Sequence, residues 1–350
     1  MKQLLNYDIH NMKICLERDK KFDLTDNFDL ELSFFKVDSI QNPDIIYKVG
    51  KFKPSNEDCY TVDHKYYVKD NYFYCKDGMN GLKWELEIQG FDKGEMIVNY
   101  NYSSSKLSKF ISRFNFDTLF LRPLIFFKLK DKGKIMIHGG GVSKKDKAYI
   151  FPGRGGVYKT SLIMNLIKKA DFSYLGDDWI ILDESKIFNF PVHFPLFNFT
   201  YTEKRTEFLN YKDKMRFIIS LDKYKENKNG IKISNPCNLS SIIFMSRSNQ
   251  NSDISIKKLE LNNALDKLVE NIKLEMMDDE IPLSGFSFGQ YYNYICAYSY
   301  IFPDSKIANN WKTLKNELQD NLGDICIYEV EVPQNYNSQI VEEVLKIIGD

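Results

Sequence analysis

The six cysteines, at positions 15, 59, 75, 237, 296 and 326, form no CxxC or CxC pair and have only four histidines for company. That lack of ligand spacing argues against a structural zinc site, and scattered thiols without a secretory signal are expected to be buried and free in a reducing compartment. Neither sign of charge is in excess, with 48 Lys plus Arg against 48 Asp plus Glu. No global field therefore draws the chain toward nucleic acid or an anionic membrane, and neither is expected as a partner. Long apolar runs are missing as well. The strongest, Leu119 to Phe127, is interrupted by Arg122 and Pro123 and falls far short of the roughly 18 residues that span a bilayer. Residues 1–13 carry no apolar core of the kind a signal peptide needs, so a cytoplasmic location is the expectation. Repeats and low-complexity linkers are absent too.

What is present suits an ordered globular chain. At 350 residues, with 43% hydrophobic and 15% aromatic side chains, it has length for two domains and apolar surface enough to give each a core. Residues 1–130 read as a β-rich N-terminal domain ending in helices. Trp84 to Ile88 and Met96 to Tyr100 alternate apolar and polar positions, which is strand spacing. Lys76-Asp77-Gly78 and Asn80-Gly81 supply turn chemistry, so hairpins of an antiparallel sheet are the simplest arrangement. Leu107, Phe110, Ile111 and Phe114, then Leu119, Leu124 and Phe127, recur at helical spacing, with the second helix bent at Pro123.

Residues 131–350 read differently. Ile135 to His138 forms a short strand running into Gly139-Gly140-Gly141, and Ala148 to Phe151 forms a second. Gly153-Arg154-Gly155-Gly156-Val157-Tyr158-Lys159-Thr160 follows, and Leu162, Ile163, Leu166 and Ile167 then mark one face of a helix. Phe172 to Leu175 reads as a strand delivering Gly176-Asp177-Asp178, with Trp179 to Leu182 as its neighbour. Later strands are expected at Leu239 to Met245 and Ile325 to Val330, and helices at Leu259 to Leu274 and Ser338 to Ile348.

A glycine-rich loop between a strand and a helix can turn successive backbone N–H groups around a phosphate, with the positive end of the helix dipole behind them. Lys159 is then placed to bridge the terminal phosphates, and Thr160, or Ser161 beside it, to help hold Mg²⁺. The spacing Gly-x5-Lys-Ser/Thr alone arises by chance in roughly one chain in a few of this length. Its weight comes from the conjunction of loop glycines, flanking strand and helix, and the following acidic pair. Tyr158 departs from the pattern, which has glycine before the lysine because a Cβ crowds the closed backbone. The ring is expected to turn outward and border the second substrate.

Three landmarks, Ile137-His138-Gly139, Gly153 to Gly156 with Lys159-Thr160, and Leu175-Gly176-Asp177-Asp178, resemble the HPr kinase/phosphorylase superfamily, which includes ATP-type phosphoenolpyruvate carboxykinase. The resemblance implies an α/β fold, α+β overall, in which an HPr-kinase/PEP-carboxykinase-like P-loop core follows the β-rich N-terminal domain. It further implies ATP, or another nucleoside triphosphate, and Mg²⁺ as cofactors. Gly153, Arg154, Gly155, Gly156, Val157, Tyr158, Lys159, Thr160 and Ser161 would bind the nucleotide, with Thr160 and Asp178 at the metal. Asp177 would act as base toward an acceptor hydroxyl, and His138 would lie near phosphate and acid, donating to a phosphate oxygen or tuning the aspartate. Arg154 would otherwise be a solvated arginine, and Arg205 and Arg247 do not rise above surface charges.

The leading expectation is an ATP-dependent phosphotransferase acting on a hydroxyl of a protein, peptide or small metabolite. The resemblance permits a homo-oligomer. The alternative is a nucleotide-binding or degenerate P-loop protein, reshaped by Tyr158, that regulates or binds a partner without catalysis. The aromatic run Phe286 to Tyr300 is read as core or domain contact rather than a ligand cage. His10, His64 and His193 are read as structural.

Overall fold

The computed structural model describes residues 2–19, 32–79, 82–104, 116–192, 194–203, 211–220, 223–224, 227, 229–249, 253–277 and 290–349. These form a mixed α/β protein with two large sheets and helices. Two compact units divide the chain: Met1–Lys132 with Met276–Thr313, and Gly133–Glu275 with Leu314–Asp350. The stretch 276–313, placed by the sequence reading in the second domain, thus clusters with the first unit. Among the described residues no helix is long and apolar enough to cross a membrane. All six cysteines are free, yet Cys296 and Cys326 are exposed and only Cys75 and Cys237 fully buried, which corrects the expectation of buried thiols.

The first unit is built on nine strands: β1 (Lys2–Ile9), β2 (Met12–Asp19), β3 (Lys36–Val37), β4 (Ile45–Val49), β5 (Tyr60–Val62), β6 (Tyr66–Lys69), β7 (Tyr72–Met79), β8 (Leu82–Gln89) and β9 (Met96–Ser104). Their spatial order is β3-β1-β2-β4-β9-β8-β7-β6-β5. The sheet is not purely antiparallel, because β4 runs parallel to both β2 and β9. Alternation shows only that one face is buried; it does not give the direction of the neighbour. Lys76-Asp77-Gly78 lies inside β7 rather than in a turn, since β7 and β8 pair through to Met79 opposite Leu82. Asn80 and Gly81 lie outside the described residues.

Helix α1 (Phe116–Asp131) contains Pro123 within its length, while the helix expected over 107–114 falls outside the described residues. A further helix of this unit, Gln290–Ile301, covers the described part of the aromatic run. Its Tyr294 and Tyr298 are buried, with ring centroids 4.9 Å from Phe73 and from Phe91 respectively. They are core.

The second unit contains β10 (Ile135–Lys144), β11 (Lys147–Pro152), α2 (Lys159–Ala170), β12 (Ser173–Gly176), β13 (Trp179–Asp183), β14 (Lys186–Phe188), α3 (Phe194–Thr202) and α4 (Tyr211–Ile219). After them come β15 (Cys237–Arg247), β16 (Ser255–Lys258), α5 (Leu261–Met277), β17 (Cys326–Val332) and α8 (Gln339–Ile348), the helices α6 and α7 being Gln290–Ile301 and Lys306–Leu322. Strand pairings run β11-β10-β13-β14-β15 and return to β11, which pairs with β15 in parallel. β17 then adds to β15, also in parallel.

Two hairpins here turn without glycine. Lys145 and Asp146 (φ 50° and 61°) join β10 to β11, and Glu184 and Ser185 (φ 44° and 63°) join β13 to β14. Both central residues are left-handed, as tight two-residue hairpins demand. α2 buries Leu162, Ile163, Met164 and Leu166 in a core completed by Phe151, Ile243, Val330 and Val344.

Candidate functional site

β10 does not stop at the glycines. It runs on through Gly139-Gly140-Gly141, which pair with Pro152, Phe151 and Ile150 of β11, contrary to the short strand expected, and glycine is there for space. A Cβ on Gly139 would stand 2.9 Å from the Pro152 Cα, and one on Gly140 would stand 2.2 Å from the Ile163 Cδ1 and 3.3 Å from the Asp177 Cα. The glycines let β11, α2 and the acidic pair approach β10.

β12 and β13 pair with successive parts of β10, Gly176 opposite Gly141 and Trp179 opposite His138. Asp177 and Asp178 occupy the break between them, beside Gly139 and Gly140, where the Gly139 N–H donates to the Asp178 carbonyl at 2.9 Å. The pair lies at a bend rather than in a strand, and its members have different partners. The Tyr174 hydroxyl donates to Asp177 Oδ1 at 2.7 Å. Asp178 Oδ1 lies 3.5 Å from His138 Nε2. Burial pushes the Asp177 carboxyl up to about 7, with the Asp178 charge adding to the rise and the Tyr174 hydrogen bond and Lys159 opposing it. A carboxyl held near neutrality beside a lysine is what base chemistry requires.

The glycine-rich loop leads from β11 into α2. Tyr158, the residue before α2, makes no side-chain cap, and no acid stands in the first turn, so no carboxylate of that turn offsets the positive end of the helix dipole. Lys159 is 8% exposed. Its ammonium donates to the Gly153 carbonyl and, at 3.1 Å, to that of Arg154, so the cation is gathered into the loop it would serve. Gly153 is needed for close approach, a Cβ there meeting the Met245 carbonyl at 2.8 Å; a Cβ on Gly155 would meet open space. Gly156 takes φ 81°. Thr160 is half-buried, Val157 and Ser161 buried.

Tyr158 adopts φ 68° and ψ 22°, the left-handed conformation that glycine reaches freely and tyrosine at about 1–2 kcal/mol. Its ring leaves the loop but does not face solvent, which corrects the outward placement. It is 9% exposed, lies edge-on to Tyr336 at 5.4 Å, and its hydroxyl donates to the Gln334 carbonyl. Packing a buried aromatic ring is worth about 3–5 kcal/mol. The packing outweighs the strain, which explains how tyrosine is held at this position.

α5 contributes residues that sequence reasoning missed. Asn271 and Glu275, one turn apart, face His138. The Asn271 amide nitrogen donates to the His138 carbonyl at 2.6 Å, and its oxygen lies 3.2 Å from His138 Nδ1. Glu275 Oε2 lies 3.5 Å from His138 Nε2 and accepts from Arg154 at 2.8 Å. Arg154 is therefore ion-paired rather than simply solvated. One ligand atom each from His138, Asp178 and Glu275 lie within 4.8 Å of one another, a group able to hold a cation. Arg247, read from sequence as a surface charge, donates to the Gly156 carbonyl at 3.2 Å and lies over the Tyr158 ring at 5.6 Å. Arg205 and His193 fall outside the described residues. His10 and His64 occupy left-handed turns of the first unit. No family model matches this chain, and no curated protein matches it.

Proposed function

We propose that this chain is an ATP-dependent phosphotransferase of the HPr-kinase-like P-loop type, acting on the hydroxyl of a protein, peptide or small metabolite. The observation that carries the reading is convergence. A helix N-terminus with no acid in its first turn, the buried Lys159 and an acidic pair with one carboxyl raised to about 7 lie where β11 ends against the middle of β10.

On this reading the N–H groups from Gly155 to Thr160 bind the phosphates, and the Lys159 ammonium exchanges the Gly153 and Arg154 carbonyls for phosphate oxygens. Asp177, oriented through Oδ1 by Tyr174, takes the acceptor proton at Oδ2. Asp178, with Thr160 and the added carboxylate of Glu275, offers the oxygen ligands that suit a hard cation such as Mg²⁺, which when bound supplies charge neutralisation at the phosphates. Phe151, Leu162 and Ile163, all buried behind the loop, keep water from its rear and fix its shape.

Mg-ATP at 100 times its Kd should stabilise the folded protein by about 2.7 kcal/mol, read as a rise in Tm, and Lys159→Ala should abolish that rise. Saturating ATP, GTP and their diphosphates leaving the wild-type melting curve unmoved would overturn the reading.

A further inference from the structure

We propose that Asn271 is a positioning residue that fixes the hydrogen of the neutral His138 ring on Nδ1, leaving Nε2 as the nitrogen turned toward Asp178 and Glu275. The inference deepens the phosphotransfer reading and rests on it for its catalytic consequence. Its structural part stands on hydrogen-bond chemistry alone.

Both ends of the Asn271 amide are committed. Its nitrogen meets the His138 carbonyl at 2.6 Å, a contact that only a donor can make, since two oxygens at that distance would repel. The amide oxygen therefore faces His138 Nδ1 at 3.2 Å. An amide oxygen can only accept, so the Nδ1 nitrogen must carry the hydrogen. Asn271 is 8% exposed and His138 3% exposed. In such a place an amide oxygen set against a ring lone pair would leave both acceptors without a donor.

At the other nitrogen the described acceptors stand farther off. Asp178 and Glu275 each lie 3.5 Å from Nε2, beyond the roughly 2.7–3.2 Å of an N–H···O bond. Glu275 already accepts from Arg154 at 2.8 Å. Nδ1 is the nitrogen within hydrogen-bond range of an acceptor. The consequence bears on one expectation from the sequence: a ring that carries a single hydrogen, on Nδ1, has none at Nε2 to donate to a phosphate oxygen. Asn271 and Glu275, at i and i+4 of α5, thus act on the two sides of one ring. The first sets its tautomer, and the second borders its working atom.

The test is long-range ¹H–¹⁵N correlation of the imidazoles in ¹⁵N-labelled full chain at about pH 9, where an imidazole is neutral. The His138 signals are assigned by their loss in His138→Gln. The wild type is expected to show Nδ1 protonated and Nε2 bare, and folded Asn271→Leu to lose that preference. The same substitution should lower turnover of Mg-ATP about 10- to 100-fold, the usual effect of a group that orients a working residue, with nucleotide Kd changed less than about 3-fold. A wild-type ring protonated at Nε2 alone, or a folded Asn271→Leu variant with the wild-type tautomer, overturns the proposal. Should no protein bind or turn over nucleotide, the phosphotransfer reading falls, while the wild-type tautomer still decides what Asn271 does.

Discussion

Each unit of this chain draws a carboxylate out of water, Glu87 completely and Asp177 in part, and the two are treated in opposite ways. Glu87, on β8 of the first unit, is 1% exposed and surrounded by donors. Ser55 N–H and the Tyr72 hydroxyl reach Oε1 at 2.7 and 2.9 Å, and the Asn99 and Gln89 amides reach Oε2 at 2.6 and 3.2 Å. Asp177 in the second unit accepts from the Tyr174 hydroxyl, has the like charge of Asp178 beside it, and is pushed by burial up to about 7. A carboxylate ringed by donors is a structural joint, matched to its charge. One that is half-buried, with fewer donors and a like-charged neighbour, is pushed toward its protonated form.

The comparison predicts opposite outcomes for removing the two charges. The largest effect is on chemistry: Asp177→Asn keeps size and much hydrogen bonding but cannot take the acceptor proton. Turnover should fall by about 10² to 10⁴ with nucleotide affinity changed far less. Steady-state turnover equal to wild type would take the base role away from this residue.

Next comes stability, where the signs diverge. Glu87→Leu leaves the Tyr72 hydroxyl, the Ser55 N–H and the Asn99 amide without their acceptor, and should cost about 3 kcal/mol in urea unfolding. Asp177→Asn should do the reverse. The unfolded Asp177 ionises near pH 3.9 and the folded one near 7, so the unfolded chain releases its proton first as pH rises. Stability is lost between about pH 4 and 7, and the loss is complete above 7. The Asn variant should therefore exceed wild type in Tm at pH 8, with the gap narrowing toward pH 4. A gap independent of pH would show that Asp177 does not titrate as its surroundings require.

The smallest effect belongs to Tyr174→Phe. Its hydroxyl opposes the rise of the Asp177 pKa, so its removal should move the ascending limb of the kcat/KM pH profile upward, by less than about one unit. A downward move would mean that the hydroxyl favours the protonated carboxyl, accepting from it rather than donating to the carboxylate.

The sequence by itself determined what consecutive residues build. The β11 strand, the loop from Gly153 and the helix from Lys159 can be read in order because an apolar run, a glycine-rich turn and a helical apolar face are each written in consecutive residues. The strands flanking Asp177 and Asp178 follow from alternation and apolar runs in the same way. Alternation could not show that β4 runs parallel to both neighbours, nor composition that Lys145-Asp146 and Glu184-Ser185 turn without glycine. Tyr158 was visible as a departure from pattern, but where its ring goes was decided by Gln334 and Tyr336, residues remote in sequence. The same holds for the wall of the site. Asn271 and Glu275 stand at i and i+4 of a helix whose sequence resembles any amphipathic surface helix, and Asn271 meets His138 across 133 residues of chain. A side chain's partner is not encoded by its own neighbours when a sheet register and a helix docking together choose it, and at His138 that choice settles which nitrogen faces the acids.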